Sequence, residues 1–310
     1  MKMKTPILKT TNLEKRYKDQ VALESTNFEL YKGEICAIIG KNGAGKSTLF
    51  KMIAEEIFPT KGEITLFGEP YGKHNSRRRM GVMIETDVFF DNFNAHQNLE
   101  YYRLLRGIPE KAVIGKVLNR VGLAEHNRKK FSQYSLGMKQ RLSLALALLS
   151  SPDFLLLDEP TNGLDAEGMV EMRQLFLKLN QEHQITILIS SHILSQLQSI
   201  ATRFVFLNKG KVVQDLSRKE LLGMSQQFIF LRVNDAKKAC FILENHFVDM
   251  DYRVLAGEQL EIYNYIPQRQ KINRLLNEGN VDILEMTVKS KNLEEYFLGL
   301  VGGDENVESN

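Results

Sequence analysis

The stretch that most limits the possible folds is Gly40-Lys41-Asn42-Gly43-Ala44-Gly45-Lys46-Ser47-Thr48, which has the spacing G-x-x-x-x-G-K-[ST]. A short apolar run at residues 34–39 precedes it, and residues 48–54 have the composition of a helix. Glycines let a backbone wrap around a phosphate without a clash at Cβ, and the first N–H groups of a helix attract negative charge. The stretch therefore predicts a nucleoside triphosphate site, with Lys46 on the outer phosphates and Ser47 on Mg²⁺.

The composition is that of a soluble globular protein, with 43% hydrophobic and 25% charged residues among 310. No apolar run approaches the ~18 residues of a membrane span, and the N-terminal residues lack the apolar core of a secretion signal. Two distant cysteines, Cys36 and Cys240, fit a reducing cytoplasm and require no disulfide. The net charge of +3 is too small to indicate a nucleic-acid partner, and we expect none.

Apolar strands alternate with helices over the first two thirds of the chain, an order that predicts a parallel sheet wrapped by helices. Residues 7–17 are predicted to form an edge strand, and Asn94 is predicted to cap a helix over 94–107. The fold class is therefore α/β, with a P-loop NTPase domain at 1–216, a helical subdomain at about 88–152 and a linker at 217–227. The order β-α-β-β-α-β over 228–310 predicts a small α+β, ferredoxin-like accessory domain with a final helix at 293–300.

Polar residues follow two other apolar strands and begin one more helix. Asp158 and Glu159 end an apolar run and point to opposite sides of an extended strand, so we expect Asp158 to hold Mg²⁺ and Glu159 to polarise water. His192 ends another apolar run, where it can either donate to the outermost phosphate or be structural. Ser135 and Gly137 stand at a helix start, which fits either anion contact or an ordinary cap.

These segments, in this order and together with Asn162-Gly163-Leu164-Asp165, resemble the nucleotide-binding domain of ABC transporters over residues 7 to about 215. The resemblance implies that Tyr17 stacks on adenine and that Glu159, beside Asp158, is the catalytic base. Ser135 and Gly137 would contact an ATP held by a second copy, with Asp165 across the same interface. His192 would be the switch histidine.

The resemblance also implies a function. Such domains hydrolyse ATP between two copies, so we expect a homodimeric ATPase that uses ATP and Mg²⁺ and powers export through a separate integral membrane permease. The chain would lie in the cytoplasm, at the inner face of the cell membrane, held there by the permease alone. The alternative is a soluble ATPase of the same superfamily that acts on ribosomes or DNA.

Two positions depart from the family's pattern. The signature segment is Tyr134-Ser135-Leu136-Gly137-Met138 where the family usually has Leu-Ser-Gly-Gly-Gln, but it keeps Ser135 and Gly137. Glu85 replaces the usual glutamine; its carboxylate suits Mg²⁺ in the ATP site but lacks the amide donor.

Three features are similar to those of the subgroup that exports bacitracin and lantibiotics, and this similarity implies peptide antibiotics or other amphipathic molecules as the cargo. They are the Ile84-Glu85 pair, the signature segment and the tail Leu293-Glu294-Glu295-Tyr296-Phe297. Phe89, Phe90 and Phe93 follow Glu85 in the region where the family docks a short helix of the membrane subunit. These rings are predicted either to anchor that helix or to belong to the core.

Overall fold

The computed structural model describes residues 5–18, 20–70, 72, 74–84, 89–126, 128–224, 227–290 and 293 of the chain. The chain divides into two compact units, residues 1–218 and 219–310. The boundary lies inside the predicted linker at 217–227, but this stretch is not irregular, because Arg218–Met224 form a helix. Leu221 is fully buried in that helix. The removal of this side chain from water favours ordered structure where the Gly223-Met224-Ser225-Gln226 sequence suggested a linker.

The first unit contains two sheets and the helices that cover them. Its strands are β1 (Pro6–Tyr17), β2 (Gln20–Tyr31), β3 (Ile35–Ile39), β4 (Lys61–Leu66), β5 (Glu69–Pro70), β6 (Met80–Met83), β7 (Phe154–Leu157), β8 (Thr186–Ser191), β9 (Arg203–Asn208) and β10 (Lys211–Ser217). Its helices are α1 (Lys46–Ile53), α2 (His74–Arg78), α3 (Ala95–Leu105), α4 (Ala112–Arg120), α5 (Leu136–Leu148), α6 (Ala166–His183) and α7 (Leu194–Leu197), and α8 (Arg218–Met224) begins at its last residue.

The larger sheet has the strand order β10-β9-β3-β8-β7-β6. Neighbouring strands from β9 to β6 are parallel, and β10 is antiparallel at one edge. All residues of β3 and of β7 are buried, as expected for strands with helices on both faces. Because β3, β7 and β8 are parallel, the residues that follow them emerge at one edge of the sheet.

The smaller sheet is antiparallel, with the order β2-β1-β4-β5. The prediction that residues 7–17 form an edge strand is wrong, because β1 lies between β2 and β4. A register shift between Thr11 and Glu14 brings β4 so close that a Cβ at Gly62 would lie 2.3 Å from Asn12 O. This close pairing depends on a glycine that is distant in the sequence, so the local pattern of β1 could not show it.

The helices α3, α4 and α5 lie within residues 88–152. The predicted cap of α3 is present: Asn94 Oδ1 accepts a hydrogen bond from Gln97 N at 2.9 Å, and Gln97 Oε1 accepts one from Asn94 N. The helix α5 is buried over nearly all of its last nine residues, Gln140 to Leu148, as its apolar composition predicts. None of the helices described is long and apolar enough to cross a bilayer.

The second unit is a four-stranded antiparallel sheet with helices on one face. Its elements after α8 are β11 (Gln227–Val233), α9 (Ala236–His246), β12 (Tyr252–Leu255), β13 (Gln259–Ile262), α10 (Arg269–Glu278) and β14 (Ile283–Ser290). The strand order β12-β13-β11-β14 is that of the predicted ferredoxin-like pattern. Its core includes Ile229 and Leu231 of β11, Leu243 of α9 and Leu276 of α10. The predicted final helix lies outside the described residues except for Leu293.

A shortened chain that ends after Gln226 should fold and bind ATP, because both sheets of the first unit and their buried residues lie within 1–218. We expect a cooperative thermal unfolding transition by circular dichroism, with the full-length chain as control. A fragment without near-ultraviolet dichroism, or one that melts without a transition, would show that the second unit is required for folding.

Candidate functional site

The glycine-rich loop continues directly from β3. Gly40 N donates a hydrogen bond to Ser191 O at 3.2 Å, which extends the pairing of β3 with β8. A Cβ at Gly40 would lie 2.5 Å from Leu207 O. A Cβ at Gly45 would lie 2.6 Å from Ala22 O, and Gly45 also has a φ of +104°. The loop therefore fits between neighbouring backbones only because these positions lack side chains.

The helix α1 starts at the end of this loop without a side-chain cap. Its N-cap is Gly45, whereas α5 is capped by Ser135 and α6 by Asp165. The first N–H groups of a helix have no intrahelical acceptor, and here no capping side chain takes their place. This helix start is therefore suited to an anion, and a phosphate fits it.

Lys46 lies at the centre of the site and is only 5% exposed. Its Nζ donates to Gly40 O at 2.7 Å and lies 3.1 Å from Glu159 Oε1. A nearly buried ammonium group must have such partners, because an unpaired buried charge is costly. The lysine of the loop is thus held by a carboxylate that follows β7, two strands away from β3 in the sheet.

Asp158 and Glu159 follow β7 and are linked to each other through β8. Ser190 Oγ donates to Asp158 Oδ1 at 2.5 Å and accepts from Glu159 N at 2.8 Å. His192 Nδ1 lies 2.6 Å from Glu159 Oε2. Glu159 also has a φ of +48°, which is uncommon for a residue with a side chain. Its carboxylate is therefore fixed between Lys46 and His192, and its backbone is fixed by Ser190.

These residues open onto a cavity of about 660 Å³, which is large enough for a nucleotide. Of the predicted residues, the cavity brings together Asn42, Gly43, Ala44, Gly45, Lys46, Ser47, Thr48, Glu159 and His192. Tyr17 does not line the cavity, but it is half-exposed. It pairs with Gln20, and Gln20 does line the cavity. The loop residue Gly40 and the half-buried Asp158 lie just behind the lining.

The predicted signature residues lie around a separate cavity of about 560 Å³. Ser135, Gly137 and Asp165 line it, and none of its residues also lines the first cavity. Ser135 Oγ accepts from Met138 N at 3.3 Å, and Asp165 Oδ1 accepts from Gly168 N at 2.9 Å. Within one chain, the structure therefore does not bring Ser135 and Gly137 to the glycine-rich loop.

Several residues at the site were not singled out from the sequence. Ser190 and Lys209 are examples; Lys209 lines the first cavity, and Ser190 binds Asp158 and Glu159. Ser190 is the second-last residue of β8, which pairs with β7, and Lys209 follows β9, which pairs with β3. Parallel strand order would therefore have placed both at this edge. The predicted Mg²⁺ ligand Glu85 lies outside the described residues.

Comparisons with known proteins identify the family of the chain. The sequence profile of the family described as ABC transporter matches residues 23–162. The chain is 38% identical to the bacitracin transport ATP-binding protein BcrA of Bacillus licheniformis, over 96% of this chain and 98% of that protein. It is also 38% identical to the lantibiotic transport ATP-binding protein SrtF of Streptococcus pyogenes, over 67% of this chain and 89% of that protein.

Solved structures give the same result for the fold. The chain is similar to cbiO1 of Clostridium perfringens, part of an ABC transporter complex, with a TM-score of 0.65 and 28% identity over 70% of this chain and 91% of that one. It is similar to the ATP-binding cassette MJ0796, solved as a dimer with ADP and Pi, with a TM-score of 0.62 and 26% identity over 68% and 98% of the two chains. The predicted fold of the first two thirds of the chain is thus confirmed.

Replacement of Lys46 by alanine should lower ATP affinity ~10- to 100-fold, because a charge-assisted hydrogen bond to a phosphate is lost. Isothermal titration calorimetry measures this loss. Lys41→Ala, at an exposed position of the same loop, is the matched control and should retain affinity. Equal affinity of the Lys46 variant and the unmodified chain would contradict the role of this lysine.

Proposed function

Because the chain belongs to the ABC transporter family and is an ATPase of a transport system, we propose that it powers the export of peptide antibiotics through a separate membrane permease. The observation that carries this proposal is the similarity to BcrA over 96% of the chain, which includes the second unit. The alternative of a soluble ATPase acting on ribosomes or DNA is wrong, since the relatives are transport ATP-binding proteins.

We propose that two copies of the chain form the working ATPase. The first cavity contains the loop with Lys46, and the second contains Ser135 and Gly137. Residues 159–165 connect the two, with Glu159 and Asn162 on one cavity and Asp165 on the other. A second copy, turned so that its Ser135 faces the bound nucleotide, would complete each site, as a two-fold arrangement does. The dimeric structure of MJ0796 supports this assembly.

The charged residues of the first cavity give a mechanism. In the structure, Glu159 is bound by both Lys46 and His192. Phosphate groups of ATP would compete for Lys46, which leaves Glu159 free to accept a proton from the attacking water. His192 would hold the Glu159 carboxylate in place from its Nδ1 side, with its other ring nitrogen available to the outermost phosphate. Helix α1 would stabilise the negative charge that develops on the phosphates.

Mg²⁺ would neutralise charge on the outer phosphates during transfer. Ser47 and Asp158 fit it in chemistry, since both offer oxygen, the ligand that this ion prefers. Ser47 is exposed at the start of α1, and Asp158 is held by Ser190 at the end of β7. We propose Glu85 as a further ligand on the sequence alone.

We propose that the chain lies at the inner face of the cell membrane and is held there by the permease, with no nucleic-acid partner. Phe90, Phe93 and Tyr101 form a candidate contact for the permease, which we name the aromatic surface. Their exposed fractions are 43%, 38% and 43%. The ring of Phe90 lies 5.1 Å from that of Phe93 and 4.9 Å from that of Tyr101, so the rings form one patch. Exposed aromatic clusters of this kind are typical anchors for a partner helix.

Phe89, which precedes the aromatic surface in the sequence, packs against other aromatic rings. Its ring is 5.1 Å from that of Phe131 and 6.1 Å from that of Tyr102. The two predicted roles, packing in the core and contact with the permease, therefore belong to different phenylalanines. We assign Phe89 to packing, and Phe90 and Phe93 to the permease.

Replacement of Glu159 by glutamine should lower turnover ~10²- to 10⁴-fold, because the carboxylate that accepts the proton is lost. ATP binding should remain, and the variant should accumulate as an ATP-bound dimer. Phosphate release and size-exclusion chromatography with and without ATP measure the two effects. Glu182→Gln, on the exposed end of α6, is the control. A Glu159 variant that elutes as a monomer in both conditions would count against the dimer.

A tagged chain should capture an integral membrane permease from detergent-solubilised membranes of its host. Combined replacement of Phe90 and Tyr101 by alanine should weaken this capture at least ~10-fold, since buried aromatic anchors dominate interface energies. Phe241→Ala is the control, because Phe241 is 67% exposed but lies on α9 in the second unit. If no integral membrane protein co-purifies, the proposal of a separate permease fails.

A further inference from the structure

The amide side chain of Asn98 is completely buried, although the rings of Phe90 and Phe93 in the adjacent turn are exposed. It extends from α3 towards the turn that carries Phe90 and Phe93. Its Oδ1 accepts a hydrogen bond from Phe90 N at 2.8 Å. Its Nδ2 donates to the carbonyl oxygens of Phe90, Phe93 and Asn94 at 3.2, 3.4 and 3.2 Å. One side chain thus binds the backbone at both ends of the turn.

The turn is closed on itself and braced from outside. Phe93 N donates to Phe90 O at 3.1 Å, which closes the turn. The same carbonyl oxygen also accepts a hydrogen bond from Asn98 Nδ2. Phe131 N donates to Phe93 O at 2.8 Å, and Ser132 N donates to Asp91 O at 3.1 Å. The backbone between residues 90 and 94 is therefore fixed on two sides, by Asn98 and by the 3₁₀ turn Phe131–Gln133.

The braced turn carries rings that the core covers only in part. The rings of Phe90 and Phe93 remain about two-fifths exposed, so a substantial part of their apolar surface is left for a partner. A buried polar side chain such as Asn98 is tolerated only when its hydrogen bonds are made, and these bonds specify one conformation of the turn. Exposed rings on a fixed backbone lose less entropy when a partner binds them, which raises affinity.

We propose that Asn98 is a positioning residue for the permease: it holds Phe90 and Phe93 in the arrangement that receives a helix of the membrane subunit. It acts through the backbone of the turn and does not itself reach the partner, because its side chain is buried. The proposal rests on the proposed docking role of the aromatic surface. It predicts that affinity for the permease depends on a residue that cannot touch it.

The test compares two asparagines whose side-chain amides both donate hydrogen bonds to backbone carbonyl oxygens, but in different parts of the first unit. Asn98→Ala removes the amide that holds the turn. Asn180→Ala removes an amide that donates to Gly33 O and Ile185 O at 3.0 and 2.8 Å, far from the aromatic surface in the fold. Both variants are prepared as full-length chains. The probe is the permease recovered by the tagged chain, purified in detergent, and the combined Phe90 and Tyr101 variant is measured alongside.

We expect Asn98→Ala to weaken permease affinity at least ~10-fold, as the loss of buried hydrogen bonds predicts. ATP affinity of the free chain should be unchanged, and hydrogen exchange should accelerate at the amides of Phe90 and Phe93. Asn180→Ala should lower the melting temperature but leave permease affinity unchanged. If Asn98→Ala does not fold, Asn98→Ser, which retains a smaller polar side chain, gives the same comparison.

Three results would overturn the proposal, each for a different reason. Wild-type permease affinity in Asn98→Ala, together with weak binding by the Phe90 and Tyr101 variant, would leave the aromatic surface in place and refute the positioning role. Wild-type affinity in the Phe90 and Tyr101 variant would refute the docking role itself. Equal losses of permease affinity in the Asn98 and Asn180 variants would show that the effect is one of general stability.

Discussion

The parallel pairing of β3 with β8, and of β8 with β7, is the constraint on which the site depends. Each strand is short and fully buried, and burial of a large apolar side chain contributes about 1.5–3 kcal/mol. Because the strands run in one direction, the polar residues that follow them meet at one edge: Gly40 after β3, Asp158 after β7 and His192 after β8. Burial of the strands thus brings the polar groups to one edge, where ion pairs and hydrogen bonds then fix their side chains.

At that edge, Glu159 is held in a conformation that a residue with a side chain rarely adopts. A left-handed backbone of this kind costs on the order of 1–3 kcal/mol and persists only where the surroundings impose it. Here the Ser190 hydroxyl binds the Glu159 N–H, while Lys46 and His192 bind its carboxylate. Two of these partners, Lys46 and His192, are groups that a bound triphosphate would attract. The nucleotide would therefore change the partners of Glu159, and so its freedom to act on water.

Much of this arrangement could be predicted from local sequence, because a glycine loop with this spacing between an apolar strand and a helix is typical of a phosphate-binding site. The order of elements in the second unit, β-α-β-β-α-β, was likewise predicted from the sequence pattern. The position of β1 inside its sheet was not, since it depends on Gly62, fifty residues away. Helix α8 was missed because three charged residues precede its one buried leucine and a glycine follows two positions later. Asn98 was missed because its partners are backbone groups, which no side-chain pattern reveals.

The helices α1, α5 and α6 begin near the two cavities, and their N-cap residues differ in the hydrogen-bond donors that they leave available to an anion. Asp165 caps α6 with an ionised carboxylate, which can only accept hydrogen bonds. Gly45 offers α1 no side chain, so the N–H groups themselves remain for an anion. Ser135 is intermediate: its oxygen accepts from Met138 N, but its hydroxyl hydrogen is still able to donate. A serine can therefore contact a phosphate of a facing copy while α5 stays capped, and an aspartate at this position could not. In the proposed dimer, Ser135 would therefore supply the phosphate contact without any hydrogen bond from the Leu136 and Met138 side chains.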